Sequence, residues 1–76
     1  MSKITIYSKP NCSQCNFTKR FLDDQNIAYQ EIDVMQNDDA LQHIKELGFL
    51  SLPVVEGPDF ESFNGFNLMK LKQLVP

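Results

Sequence analysis

Cys12 and Cys15, with two residues between them in "KPNCSQCNF", are the only cysteines in a chain of 76 residues. Thiols at that spacing can ligate a metal, staple a turn or exchange disulfides with another molecule. A zinc site draws three or four protein ligands from Cys, His, Asp and Glu. His43 is the sole histidine, and its position beside Ile44 in the middle of a helical pattern reads as a solvent-facing side chain. No metal site is therefore expected.

Redox chemistry has a more specific basis. The run "KITIY" before the pair reads as a strand, Lys3 to Tyr7, and an apolar helical pattern follows, so Cys12 falls at the start of a helix that begins near Ser13. Free backbone N–H groups and the positive end of the dipole stabilise a thiolate there. In C-x-x-C motifs of this kind the first thiol drops from ~8.5 to between about 3.5 and 7.5. Cys15, one turn deeper on the same side, is expected to be partly buried and within disulfide reach of Cys12. It can then resolve a mixed disulfide by attacking Cys12. A chance pair of core cysteines is the competing account. Lys9 can favour the thiolate or be a plain solvated lysine; Gln14 is polar and small enough to leave Cys12 exposed.

The elements that must position this pair follow from pattern and punctuation. Phe17, Phe21 and Leu22 form one apolar stripe on the first helix, which runs to about Gln25 or Asn26. "IAYQEIDV", Ile27 to Val34, alternates as a second strand. Asn37, Asp38 and Asp39 cap a second helix carrying Leu41, Ile44 and Leu47 inward, with Gly48 at its left-handed end. Pro53 to Glu56 form a third strand, Gly57 to Asp59 a turn, and Phe60 to Phe63 the hairpin partner. Asn67 caps a last helix with Leu68, Leu71, Leu74 and Val75 facing inward. The order β-α-β-α-β-β-α predicts an α/β fold: one domain over residues 1–76, with a mixed four-stranded sheet and three helices on both faces. Helix-separated strands should pair in parallel and the last two as an antiparallel hairpin. Such economy fits the smallest thioredoxin-like folds.

Composition removes other functions. A formal charge of −3 and a pI near 4.8 disfavour nucleic acid, which needs clustered cations. No apolar run approaches the ~20 residues of a membrane span, and Met1-Ser2-Lys3 leads straight into a strand without a signal peptide. A cytoplasmic protein without membrane contact is expected, a setting in which C-x-x-C pairs are catalytic or metal-binding more often than structural.

Two further segments bear on a partner. Pro53 follows Leu52 at the start of a strand, where proline is tolerated and an X-Pro bond can be cis. A cis bond would turn the Leu52 backbone outward to pair with an extended substrate segment; an ordinary trans proline is the alternative. Gly65, between the last strand and last helix, can take positive φ and admit close backbone approach. Phe63 and Phe66 can rim the site or pack elsewhere.

"IYSKPNCSQC" at Ile6 to Cys15, "KELGFLSLPVV" at Lys45 to Val55 and "FNGF" at Phe63 to Phe66 together resemble the glutaredoxin-like NrdH-redoxins, along essentially the full chain. The resemblance implies a thioredoxin-like, glutaredoxin-type fold and a cis Pro53. It also implies a Cys12–Cys15 dithiol that passes two electrons to a disulfide of ribonucleotide reductase, usually class Ib. By position, Cys12 attacks and Cys15 resolves, while Gln14, Leu52, Pro53, Gly65 and Phe66 form the partner surface. No cofactor is bound; electrons come from NADPH through thioredoxin reductase. A monomer is expected, because Cys12 must reach two proteins in turn. Where the family commonly has Ser-Gly-Phe-Arg-Pro, this chain has Asn64 to Leu68 without the Arg-Pro. The rival is a glutathione-dependent glutaredoxin. That family carries an aromatic residue inside the C-x-x-C, where Gln14 stands, and a carboxylate near Asn67, whose neutral amide binds an ammonium less strongly.

Overall fold

Alternation along the strands decides which helix covers which face of the sheet. The computed structural model describes residues 4–75. Their order is β1 (Thr5–Ser8), α1 (Ser13–Asp24), β2 (Gln30–Asp33), α2 (Asp38–Glu46), β3 (Val54–Gly57), β4 (Phe60–Asn64) and α3 (Leu68–Lys72). Successive strand residues point to opposite faces. Ile6 and Val55 therefore join Leu22 of α1, Phe63 and Leu71 of α3 in one cluster, while Tyr7 and Val54 join Val34 and, from α2, Ala40 and Ile44 in the other. Fully burying each of these large aliphatic side chains contributes about 1.5–3 kcal/mol. Helices on both faces are thus a direct consequence of the strand pattern.

The sheet order is β2-β1-β3-β4. β1 and β2 pair in parallel, and β3 and β4 form the expected antiparallel hairpin. β3, however, runs antiparallel to β1, with Val54 opposite Tyr7. The parallel rule fails here because the chain, after α2, re-enters the sheet at the end where β1 stops, with Val54 at the start of β3 facing Tyr7. That return places Pro53 beside the cysteines.

Several boundaries differ from the pattern-based reading. β1 extends through Ser8, paired with Asp33; Lys3 lies outside the described residues. β2 starts at Gln30 rather than Ile27, because Asn26 takes φ 57° and the Ile27 amide returns to the Leu22 carbonyl at 2.9 Å, which makes 26–27 the end of α1. The inner stripe of α1 is Cys15, Thr18 and Leu22. Phe17 is instead 55% exposed, against Phe66 in a tilted ring contact with centroids 5.9 Å apart. Leu47 and Leu68 are also exposed, where inward positions were expected. The caps at Asn37 and Asn67 form as expected, each side chain accepting from the amide three residues on. Gly48 has φ 92°.

Candidate active site

Cys12 is the N-cap of α1 and is joined to Cys15 by a disulfide, with Cα atoms 5.2 Å apart. Its sulfur accepts a hydrogen bond from the Cys15 amide at 3.2 Å, and its carbonyl accepts from Asn16 N–H at 3.1 Å. The sulfur thus occupies the place that an Asp or Ser oxygen takes in an ordinary cap, facing amides that have no helical partner. A negative charge developing on Cys12 meets that same N–H and the dipole behind it. Cys15 is fully buried beneath it. Cys12 is less open than Gln14 alone suggests: only 8% of it is exposed in the disulfide state, because the chain before β3 closes over it, with the Leu52 carbonyl oxygen 3.9 Å from its Sγ.

Three loops meet around the sulfur. The Leu52–Pro53 bond is cis. The Pro53 carbonyl accepts from Gly65 N–H at 2.8 Å, fixing the loop between β4 and α3 against it. Gln14 reaches from α1 to the same loop, where its Oε1 accepts from Phe66 N–H at 3.1 Å. Gly65 has φ 78°, and a Cβ built there would stand 3.4 Å from that Gln14 oxygen. Cys12, Cys15, Gln14, Leu52, Pro53, Gly65 and Phe66 are accordingly brought into one neighbourhood. Phe63 is not at the rim; it is buried in the core. Lys9 is exposed.

The segment that departs from the NrdH pattern has a network of its own. Asn64 Nδ2 donates to Ser51 Oγ at 2.7 Å, tying the end of β4 to the residue before Leu52. Asn67 Oδ1 accepts from Lys70 N–H and so starts α3. Two asparagines thereby hold the loop that carries Gly65 and Phe66, one by a bond across to Ser51 and one by a local cap.

Two side-chain networks lie below the site, and spacing along the chain gave no sign of either. Tyr7 Oη donates to Glu56 Oε1 at 2.7 Å, and His43 Nε2 meets Glu56 Oε2 at 2.7 Å. His43 is therefore tied to β3 rather than simply facing solvent. Burial pushes the Glu56 carboxyl up, yet the bonds from His43 and Tyr7 and the His43 charge together hold it below the ordinary carboxylate value. The Tyr7 phenol is pushed up to about 12 by burial and by the Glu56 carboxylate it donates to. On the other face, Ser8 and Lys19 both donate to Glu31 Oε2 at 2.7 Å. The Lys19 and Ser8 hydrogen bonds hold Glu31 below its usual value against a smaller effect of burial.

Chemically, the arrangement supports thiol–disulfide exchange: a capping sulfur near the surface, a buried second sulfur within bonding distance, and a backbone carbonyl beside the first. Among the described residues, no group of three or more His, Cys, Asp or Glu is placed to hold a metal ion, and no helix is long and apolar enough to cross a membrane.

Comparison with known proteins gives the same answer. Residues 4–59 match the glutaredoxin family. The chain is 37% identical over 71 residues to the glutaredoxin-like protein NrdH of Lactococcus lactis, covering 93% of this chain and 97% of that one. It is 36% identical over 73 residues to NrdH of Salmonella typhimurium, covering 96% and 89%. The solved structure of the Escherichia coli NrdH-redoxin, 34% identical, superposes with a TM-score of 0.91 over 96% of this chain and 95% of that one. With its C-x-x-C disulfide at the head of α1, the chain belongs to the glutaredoxin-like NrdH family of dithiol–disulfide oxidoreductases.

Proposed function

We propose that the Cys12–Cys15 dithiol donates two electrons to a disulfide of ribonucleotide reductase, of class Ib, and is reduced again by NADPH through thioredoxin reductase. Cys12 thiolate attacks one sulfur of the partner disulfide, and the other sulfur leaves as a thiolate that takes a proton from water. Cys15 then loses its proton to solvent and attacks Cys12 Sγ. The partner's second thiolate leaves, and the Cys12–Cys15 disulfide remains. The partner is reduced by two electrons and this chain is oxidised by two. Gln14, Leu52, Pro53, Gly65 and Phe66 form the surface on which the partner lies, with Leu52 offering its backbone to an extended segment. The protein acts in the cytoplasm as a monomer and carries no bound cofactor.

The observation that carries the choice of reductant is the use made of Gln14 and Asn67. Gln14 replaces an aromatic residue in the motif and spends its oxygen on Phe66 N–H; Asn67 spends its oxygen on capping α3. Neither leaves a carboxylate for the ammonium of glutathione. The thioredoxin-like activity profile ascribed to the Escherichia coli NrdH-redoxin supports the same route. The test compares insulin reduction with NADPH plus thioredoxin reductase and with glutathione plus glutathione reductase. Turnover by the first system is expected; strong turnover by the second alone would sink the proposal.

A further inference from the structure

On the α2 side of the disulfide lies a groove of about 220 Å³ that shares only Leu52 with the partner surface proposed above. Its floor includes the core residues Val34 and Ile44, and its rim carries Leu50 and Met35, which are 94% and 63% exposed. Single exposed leucines are ordinary. Here, two large apolar side chains stand over an apolar floor, and the same groove is lined by Leu52, whose carbonyl lies 3.9 Å from Cys12 Sγ. The volume is below the roughly 300–1,000 Å³ of small-molecule and cofactor pockets, and suits one or two side chains of a polypeptide already held at Cys12.

Charge narrows the occupant. The groove is lined by Lys9 and Lys45 and by no acidic residue, in a chain whose ten Asp and Glu outnumber its seven Lys and Arg. Residues 7–22 and 47–55, which surround the cysteines, contain Lys9, Lys19 and Arg20 and no carboxylate. Lys19 is already paired with Glu31, so Lys9 and Lys45 are the cations that line the groove. A positive rim around an apolar trough in an acidic protein attracts an acidic segment and repels a basic one.

We propose that this groove selects the partner: it takes an apolar side chain and an adjacent Asp or Glu side chain lying within a few residues of the partner's reacting cysteine. The inference rests on the reading that the partner is a protein disulfide.

The experiment uses the reduced full-length chain and synthetic peptides, amidated at the C-terminus, each with one internal disulfide flanked by Leu-Glu, Leu-Gln, Leu-Lys or Ser-Gln. The rate constant of peptide reduction is followed. Replacing Glu by Gln should slow the reaction about two- to fivefold, the worth of an exposed ion pair. Replacing both residues should slow it on the order of tenfold, because apolar burial is lost as well. In Lys45→Glu, the preference should shift from Leu-Glu toward Leu-Lys, and in Lys45→Gln it should shrink; both changes are at an exposed helical position that tolerates them. Equal rates for all peptides would overturn the groove while leaving protein-disulfide reduction intact. So would a preference untouched in Lys45→Glu. Failure to reduce any peptide would overturn both the groove and the reading beneath it.

Discussion

Gly65 and Gly48 make a matched pair, because both have positive φ, 78° and 92°, yet only one lies at the disulfide. An L-residue in the left-handed region costs about 1–2 kcal/mol, and loss of glycine's freedom in the unfolded chain returns about 0.4–1 kcal/mol. Each Gly→Ala change should therefore destabilise the fold by about 1 kcal/mol. Contact does not separate them: a Cβ at Gly48 meets nothing within 4 Å, and one at Gly65 meets only Gln14 Oε1 at 3.4 Å, an ordinary van der Waals distance. Urea titration of the two oxidised variants should give similar shifts in midpoint with unchanged slope, and melting should fall by roughly 4–8 °C per kcal/mol in a domain of this size. Activity should separate them. A methyl at Gly65 stands beside Gln14 Oε1 on the proposed partner surface, and overfilling the contact made there with a bound partner costs about 1–3 kcal/mol. kcat/KM for a protein disulfide should then fall about tenfold or more in Gly65→Ala, and less than about twofold in Gly48→Ala. Equal loss of activity in the two variants would refute the assignment of Gly65 to the partner surface. A stability cost for Gly65→Ala well above that for Gly48→Ala would refute the packing argument.

Three further outcomes follow from individual contacts. Glu56 is held below its ordinary carboxyl value in the fold, so its contribution to stability is present above the unfolded value of ~4.3 and is lost as pH falls through the folded value. Glu56→Gln should accordingly flatten the decline in urea midpoint between neutral and acid pH. Asn67→Ala removes the cap of α3 and should cost about 1 kcal/mol, read by the same titration, and should loosen Phe66, read by faster amide exchange there. Thr18 Oγ1 is buried with no hydrogen-bond partner among the described residues. Thr18→Val, which removes that hydroxyl at nearly constant shape, should stabilise the protein by about 1 kcal/mol; a loss of stability would show that the hydroxyl is used.

What could be read along the chain was local. The place of Cys12 at a helix start, the cap at Asn67, the positive φ of Gly48 and Gly65, and the two-faced sheet all depend on neighbours within a few residues or on strict alternation. Pro53 as a cis residue came from the resemblance to a family, since its sequence alone allows trans. The rest depended on where distant segments meet. Nothing near His43 or Glu56 indicates that they pair with each other or with Tyr7, 49 residues from Glu56. Phe17 matches the helical stripe as well as Leu22 does, and only the position of Phe66 reveals that it lies outside the core. The antiparallel course of β3 was hidden because the rule for helix-linked strands does not foresee the returning segment 47–53. Cys12 looked open because the Leu52 loop that closes over it lies 40 residues away.

The division of labour between the cysteines is the centre of the account, and covalent trapping tests it most directly. Cys15→Ser and Cys12→Ser proteins, each reduced, are mixed with a protein disulfide and the adducts are resolved by mass spectrometry without reductant. Cys15→Ser should accumulate a stable one-to-one mixed disulfide through Cys12, because the sulfur that releases it is gone, and Cys12→Ser should form little, since Cys15 is fully buried. Equal trapping through Cys15 in the Cys12→Ser protein would contradict the assignment.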